Sequence, residues 1–278
     1  MRPQDDDNER MSEAGQAPEP DPQPRAEGEP GSPQGGHRPG DPWHELVKLV
    51  DEVAGGRAVV LPAWRRRTRG ESRWPVTITV IAAVVLQGLL PQRLGLQPTF
   101  LLPVLEIGLF VGLLVANPVR FERRSTIVRA GSIVLVFLVT LANAWSALRL
   151  VLEIVDSRFL GTPVQLLTVG ATIWATNVIA FALWYWEFDR GGPVHRALGK
   201  AQFPDLMFPQ MASPELAPRD WSTRFVDYLY MSFTNAAAFS PTDVMPLARW
   251  AKLTMLLQSA VSLALAALVI ARAINILK

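Results

Sequence analysis

The sequence predicts an all-α fold, a polytopic membrane helical bundle of about six transmembrane helices preceded by a disordered N-terminal tail. Three observations carry this. Of the 278 residues 49% are hydrophobic and only 19% charged, which is apolar for a soluble chain of this length. Apolar runs of helix length recur from Trp74 to the end. Arginines gather in short blocks between alternate runs, as they do in the cytoplasmic loops of membrane proteins.

The elements follow in chain order. Residues 1–42, MRPQDDDNER to GGHRPGDP, are rich in Pro, Gly, Gln and acids and nearly lack large apolar side chains. Such a segment cannot bury enough surface to offset the entropy of ordering it, and it reads as a disordered tail. Residues 43–73 form a cytoplasmic amphipathic helix and a basic juxtamembrane linker. Trp43, Leu46, Val47, Val50 and Val53 recur at helical spacing behind Asp41 and Pro42, and Arg65, Arg66, Arg67, Arg69 and Arg73 follow.

The transmembrane domain is 74–278. Runs near 75–92, 99–117, 127–148, 164–186 and 253–277 each suit a span, while 225–240 is of helix length but only moderately apolar, so it either crosses as a sixth span or re-enters. Orientation comes from the arginines. Arg65 to Arg73, then Arg120, Arg123, Arg124 and Arg129, then Arg190, Arg196, Lys200, Arg219 and Arg224 mark one face as cytoplasmic. With six crossings both termini are expected in the cytoplasm, leaving Arg249 and Lys252 as an exception on the outer side. Trp74 and the Trp184, Tyr185, Trp186 group stand at span ends, where amphipathic rings favour the headgroups.

The formal net charge of +2 gives no global case for nucleic-acid binding. Absence of cysteine excludes thiolate metal sites and thiol catalysis, and His37, His44 and His195 all lie outside the apolar runs, so neither a metal nor a cofactor is expected. Soluble-enzyme motifs are missing, and no catalytic residue is assigned. An enzymatic reading, resting on Glu187, Asp189 and His195 near one interface, ranks below two others, and the chain is expected not to be an enzyme.

Polar side chains within apolar runs are the first functional candidates, because each is costly in hydrocarbon. Glu106 is the clearest. It reads either as a proton or cation site, or as a carboxyl kept neutral or paired with a residue such as Arg149. Asp227, Thr234 and Asn235 complete the candidate intramembrane polar site. Gln87, Asn143, Asn177 and Gln258 are amides in four different runs, suited to joining helices. Ala260, Ala264, Ala267 and Ala271 form a small-residue seam expected to let another helix approach.

Asp227 to Pro246, DYLYMSFTNAAAFSPTDVMP, resembles the pore segment of bacterial potassium channels. Tyr230, Ser232, Phe233 and Thr234 match its pore helix, and Asp243 and Pro246 match the stretch beyond its filter. Ala238, Phe239, Ser240, Pro241 and Thr242 stand where Thr-Val-Gly-Tyr-Gly belongs, so the filter is degenerate. Without its glycines the carbonyl-lined filter, and with it potassium selectivity of the usual kind, is not expected. The domain from Trp74 onward also resembles a family of uncharacterised bacterial integral membrane proteins. Gly-Leu-Leu-Pro at 88–91, WYWEFD at 184–189 and YMSFT at 230–234 carry that likeness, which implies the bacterial cytoplasmic membrane and no known activity.

The functional expectation is a channel- or transporter-like conduit for an ion or small solute. The alternative is a non-catalytic scaffold or accessory subunit whose 1–63 region recruits a partner. Lipid bilayer, a second copy of the chain or a membrane partner are the expected contacts.

Overall fold

The computed structural model of the chain describes residues 62–277 apart from 69, 97, 99–100, 117–125, 157–160, 219 and 238–242. These lie in the unit Val60–Lys278. The expected tail at 1–42, the amphipathic helix at 43–53 and the filter-equivalent residues 238–242 fall outside the described residues.

Eight α-helices and two very short strands are described. In chain order they are α1 (Trp74–Gly88), α2 (Leu101–Ala116), α3 (Thr126–Val155), α4 (Pro163–Phe188), α5 (Pro193–Ala197), β1 (Leu206–Met207), α6 (Pro209–Ala212), α7 (Phe225–Ala237), β2 (Met245–Pro246) and α8 (Arg249–Leu277). The sequence sets several boundaries by backbone chemistry. Pro75 and Pro163 occupy first-turn positions, where a missing N–H costs nothing. Thr162 and Gln165 close a reciprocal capping box at the start of α4. At the other end of α4 the chain turns sharply through Arg190 (φ 52°), Gly191 (φ 79°) and Gly192 (φ 93°). Left-handed backbone is easy for the glycines and strained for Arg190.

α4 is the hub. It packs against α1, α3, α7 and α8, and nearly everything from Thr176 to Glu187 is buried. The surrounding helices turn large apolar side chains outward: Val104, Ile107 and Val111 from α2, Phe137 and Leu141 from α3, Leu256, Leu263 and Ile270 from α8. Water would penalise so large an apolar surface, whereas lipid does not. Helix α3, the stretch Pro163–Gly191 and helix α8 are each long and apolar enough to cross a membrane. Helices α1 and α2 are apolar but shorter, 15 and 16 residues.

Two buried clusters stack along the bundle. One gathers Trp64, Val76, Trp186, Phe225, Ala251 and Met255 at the end where residues 62–73 lie. The second gathers Leu94, Ile154, Leu166, Val269, Ala273 and Ile276 at the opposite end. Helix α8 therefore starts at the first end and finishes at the second. The described residues thus run from the first end, near Ala63, to the second, near Ile276.

The reason is α7. Just before it, Thr223 accepts a hydrogen bond from Arg190 Nη2 (2.7 Å). Just after it, β2 pairs antiparallel with β1, Leu206 opposite Pro246 and Met207 opposite Met245. The Leu247 and Ala248 N–H groups then donate to the Asp205 carbonyl (2.9 and 3.2 Å). Asp205 also accepts from the Arg190 N–H (2.6 Å). Both flanks of α7 are thus tied to the same end of α4. Of the six expected spans, three are matched by helices long and apolar enough to cross a membrane, and α7, at 13 residues, is not among those three.

The expected alanine seam is not the buried face of α8. Ala260, Ala264, Ala267 and Ala271 are exposed, and α8 instead buries Ala251, Met255, Gln258, Ser262, Leu265, Val269 and Ala273. Close helix approach comes from Gly170 in α4, where an added Cβ would stand 2.8 and 2.9 Å from the two Cγ atoms of Val269. Val269 is β-branched and cannot easily swing aside. Gly170→Ala should therefore destabilise the bundle by about 1–3 kcal/mol, and Val269→Ala in the same chain should recover most of it. Thermal unfolding of the two variants in detergent checks this; an unchanged melting point for Gly170→Ala would contradict the packing.

Candidate functional site

Among the described residues, three polar regions interrupt this apolar bundle. The first is a charged knot where α4 ends. Asp189 is fully buried, and its Oδ2 accepts from Arg190 Nε (2.9 Å) and from the Tyr228 hydroxyl (2.5 Å). Arg196, 7% exposed, donates from Nη1 to the carbonyls of Trp186 and Asp189. Its guanidinium lies 5.7 Å from the Trp186 ring centroid and 5.0 Å from that of Tyr228, within the range of cation–π attraction. Glu71 closes the knot from the N-terminal segment, accepting from Trp186 Nε1 (2.8 Å) and from the Phe225 N–H at the start of α7. The end of α4, the segment 63–73, α5 and the start of α7 are locked together. The residues of the enzymatic reading divide here. Asp189 is consumed by the knot, and Glu187 stands 3.9 Å from Arg129 Nε.

The second region is a ladder between α4, α7 and α8. Gln258 is fully buried. Its Oε1 accepts from the Tyr185 hydroxyl (2.8 Å) and Asn235 Nδ2 (2.8 Å), while its Nε2 donates to the Ser232 carbonyl (2.9 Å) and hydroxyl (2.7 Å). Ser232 Oγ donates onward to the Val178 carbonyl (2.7 Å). Ser259 Oγ donates to Asn235 (3.1 Å), and Asn177 Nδ2 donates to Ser262 Oγ (3.0 Å). A polar cluster at this depth is stable because every member has a partner.

The third region holds Glu106. It is fully buried on α2, and α2 packs against α1 and α3. Its oxygens lie 3.0 and 3.3 Å from the Gln87 side-chain amide of α1, whose other face stands 3.3 Å from the Val139 carbonyl. A neutral carboxyl can donate to Gln87 Oε1 while Gln87 Nε2 donates to Val139. An ionised carboxylate requires the amide to turn and present Nε2 instead. A cavity of about 230 Å³ lined by Gln87, Pro91, Gln92, Pro103 and Ser146 reaches this amide from the end where α1 stops.

The structure divides the four residues expected to form one intramembrane site. Glu106 is on α2, paired with Gln87 rather than with Arg149, which is exposed on α3. Asp227 closes the first turn of α7, accepting from the Arg224 N–H (2.7 Å). Burial pushes its carboxyl up from the ordinary range, and the Arg224 N–H and charge oppose that push. Thr234 bonds back to the Tyr230 and Met231 carbonyls of its own helix. Only Asn235 enters the ladder. Sequence reading missed Tyr185 and Ser232 as its partners, together with Glu71, Arg190 and Asp205 of the knot. Their signal was present only as isolated polar positions beside aromatic residues.

No family, no curated protein and no solved structure matches this chain.

Gln258→Leu strands the Tyr185, Ser232 and Asn235 groups, and should cost about 2–4 kcal/mol, since each buried group left unpaired loses about 1–3 kcal/mol. Tyr185→Phe removes one donor and leaves Gln258 its other bonds, so it should cost about 1 kcal/mol. Arg190→Ala removes the guanidinium from the buried Asp189 carboxylate and leaves the Tyr228 hydroxyl as its side-chain donor, and should cost about 3–5 kcal/mol. Chemical unfolding in detergent micelles ranks the three. A Tyr185→Phe loss as large as that of Gln258→Leu would contradict the ladder.

Proposed function

We propose that this chain is a multi-pass protein of the bacterial cytoplasmic membrane that forms a conduit for a cation, with α7 as a re-entrant helix. The observation that carries the reading is the return of the chain after α7 to Asp205. A 13-residue helix that begins at one bundle end is about 20 Å long, so it stops inside the bilayer. The carbonyl end of its dipole then points toward the membrane interior, where it stabilises positive charge. Non-helical backbone at that depth is tolerated only where it is buried in protein or lines a cavity. The sequence likeness of 227–246 to a pore segment agrees with a helix of this kind.

On this reading the chain crosses five times, with α1, α2, α3, α4 and α8, and its basic end is cytoplasmic. Arg249 and Lys252 then join that basic face, and the exception to the arginine alternation disappears. The outward side of α7 carries Val226, Tyr230 and Phe233, all exposed. A second reading, a scaffold or accessory subunit, is favoured by the saturation of the Gln258 ladder, which leaves few groups to coordinate an ion.

Flux through proteoliposomes separates the two. The purified chain should dissipate a potassium or sodium gradient faster than protein-free vesicles, and Asn235→Leu should slow it at least tenfold. Glu106→Gln should abolish any dependence of that flux on pH, because the amide cannot change charge. Flux equal to that of empty vesicles would refute the conduit and leave the scaffold.

A further inference from the structure

We infer that the chain holds one anionic phospholipid at its basic end, with the phosphate in an arginine-lined cleft and an acyl chain in an adjoining apolar groove. The cleft has a volume of about 730 Å³ and lies between residues 66–75, α5 and residues 220–226. That is within the range of about 300–1,000 Å³ typical of small-molecule sites. Arg66, Arg67, Arg196 and Arg224 line it, against the two carboxylates Glu71 and Asp220. Thr68, Ser222 and Thr223 add hydroxyls.

Four arginines against two carboxylates leave the lining of the cleft net positive. Glu71 is already committed to the Trp186 indole and the Phe225 N–H. Arg196 is over nine-tenths buried, and its Nη2 pairs with Glu71 Oε2 at 3.6 Å, so it sets the charge of the cleft wall. A phosphate oxygen is the acceptor that a guanidinium fork fits best.

The groove identifies the rest of the ligand. Val226 lines the cleft and also lines a second hollow of about 480 Å³ between α4 and α7. Trp174, Ala175, Val178, Leu229 and Phe233 make that hollow almost wholly apolar. A basic cavity that runs at one residue into an apolar trough matches a phospholipid, headgroup first and acyl chain behind. Free phosphate would fill only the first part, and a neutral lipid only the second. Exposed Trp74 at the same end, 69% accessible, suits the headgroup level. The bound lipid would brace the helix that re-enters, since both parts of the site contact its first turns.

This site rests on the membrane reading but not on conduction. The full chain in detergent is titrated with phosphatidylglycerol, phosphatidylcholine or inorganic phosphate, and followed by thermal unfolding and native mass spectrometry. Phosphatidylglycerol should raise the melting point well above phosphatidylcholine and remain bound in the mass spectrum. The double variant Arg67→Gln, Arg224→Gln should bind it about a hundredfold more weakly, about tenfold for each charge-assisted bond lost. Ala175→Phe, which fills the groove and leaves every arginine, should weaken it as well. Equal effects of the two lipids, or protection by inorganic phosphate as strong as by phosphatidylglycerol, would overturn the proposal. Should the double variant fail to fold, the wild-type lipid comparison and Ala175→Phe still decide. Release of the chain from membranes by alkaline carbonate would instead remove the membrane reading itself.

Discussion

The buried carboxylate of Asp189 holds the structure's topology in place. It binds Arg190 and Tyr228 at once, and Arg190 in turn reaches Asp205 and Thr223. Through that chain of bonds the end of α4 fixes both the start of α7 and the strand that follows it. An ion pair this deeply buried is a poor source of net stability, because desolvation offsets much of the attraction. Its value here is geometric. The Arg190 backbone is held in left-handed space (φ 52°), so that its N–H and side chain face different partners. Arg196 and Glu71 then extend the knot to α5 and the N-terminal segment.

The rest of the bundle obeys a different constraint. Hydrocarbon offers backbone and side-chain polar groups no partners, so each must be satisfied within the protein. The Gln258 ladder meets this demand with four hydrogen bonds to one amide. The Gln87–Glu106 pair meets it in a way that depends on the proton. A neutral carboxyl satisfies the amide and the Val139 carbonyl together, whereas an ionised one competes for the same Nε2. The two polar regions thus differ in kind, one saturated and one with two arrangements, and they lie on different helices.

The long helices were legible in the sequence, because apolar run length reports directly on the surroundings a helix can tolerate. The spans near 127–148, 164–186 and 253–277 match α3, α4 and α8. Partners were less legible. Glu106 and Asn235 stand out as polar residues among apolar ones, but periodicity does not say that one faces Gln87 and the other Gln258. The alanine seam misled because small residues on a helix mark where approach is permitted, and Gly170 with Val269 shows where it happens. The return of α7 was the hardest to read. It depends on a two-residue strand pair, Leu206–Met207 with Met245–Pro246, and on one carboxylate, Asp205, none of which leaves a sequence pattern.

The absence of cysteine makes that return directly measurable. Single cysteines at Ala212, ahead of α7, and at Leu247, behind it, can be probed with a membrane-impermeant thiol reagent, with Gln92→Cys marking the opposite end of the bundle. If α7 re-enters, the first two react from the same side and Gln92→Cys reacts from the other. Reaction of Ala212→Cys from one side and Leu247→Cys from the other would mean that the chain crosses at α7, and would contradict the account.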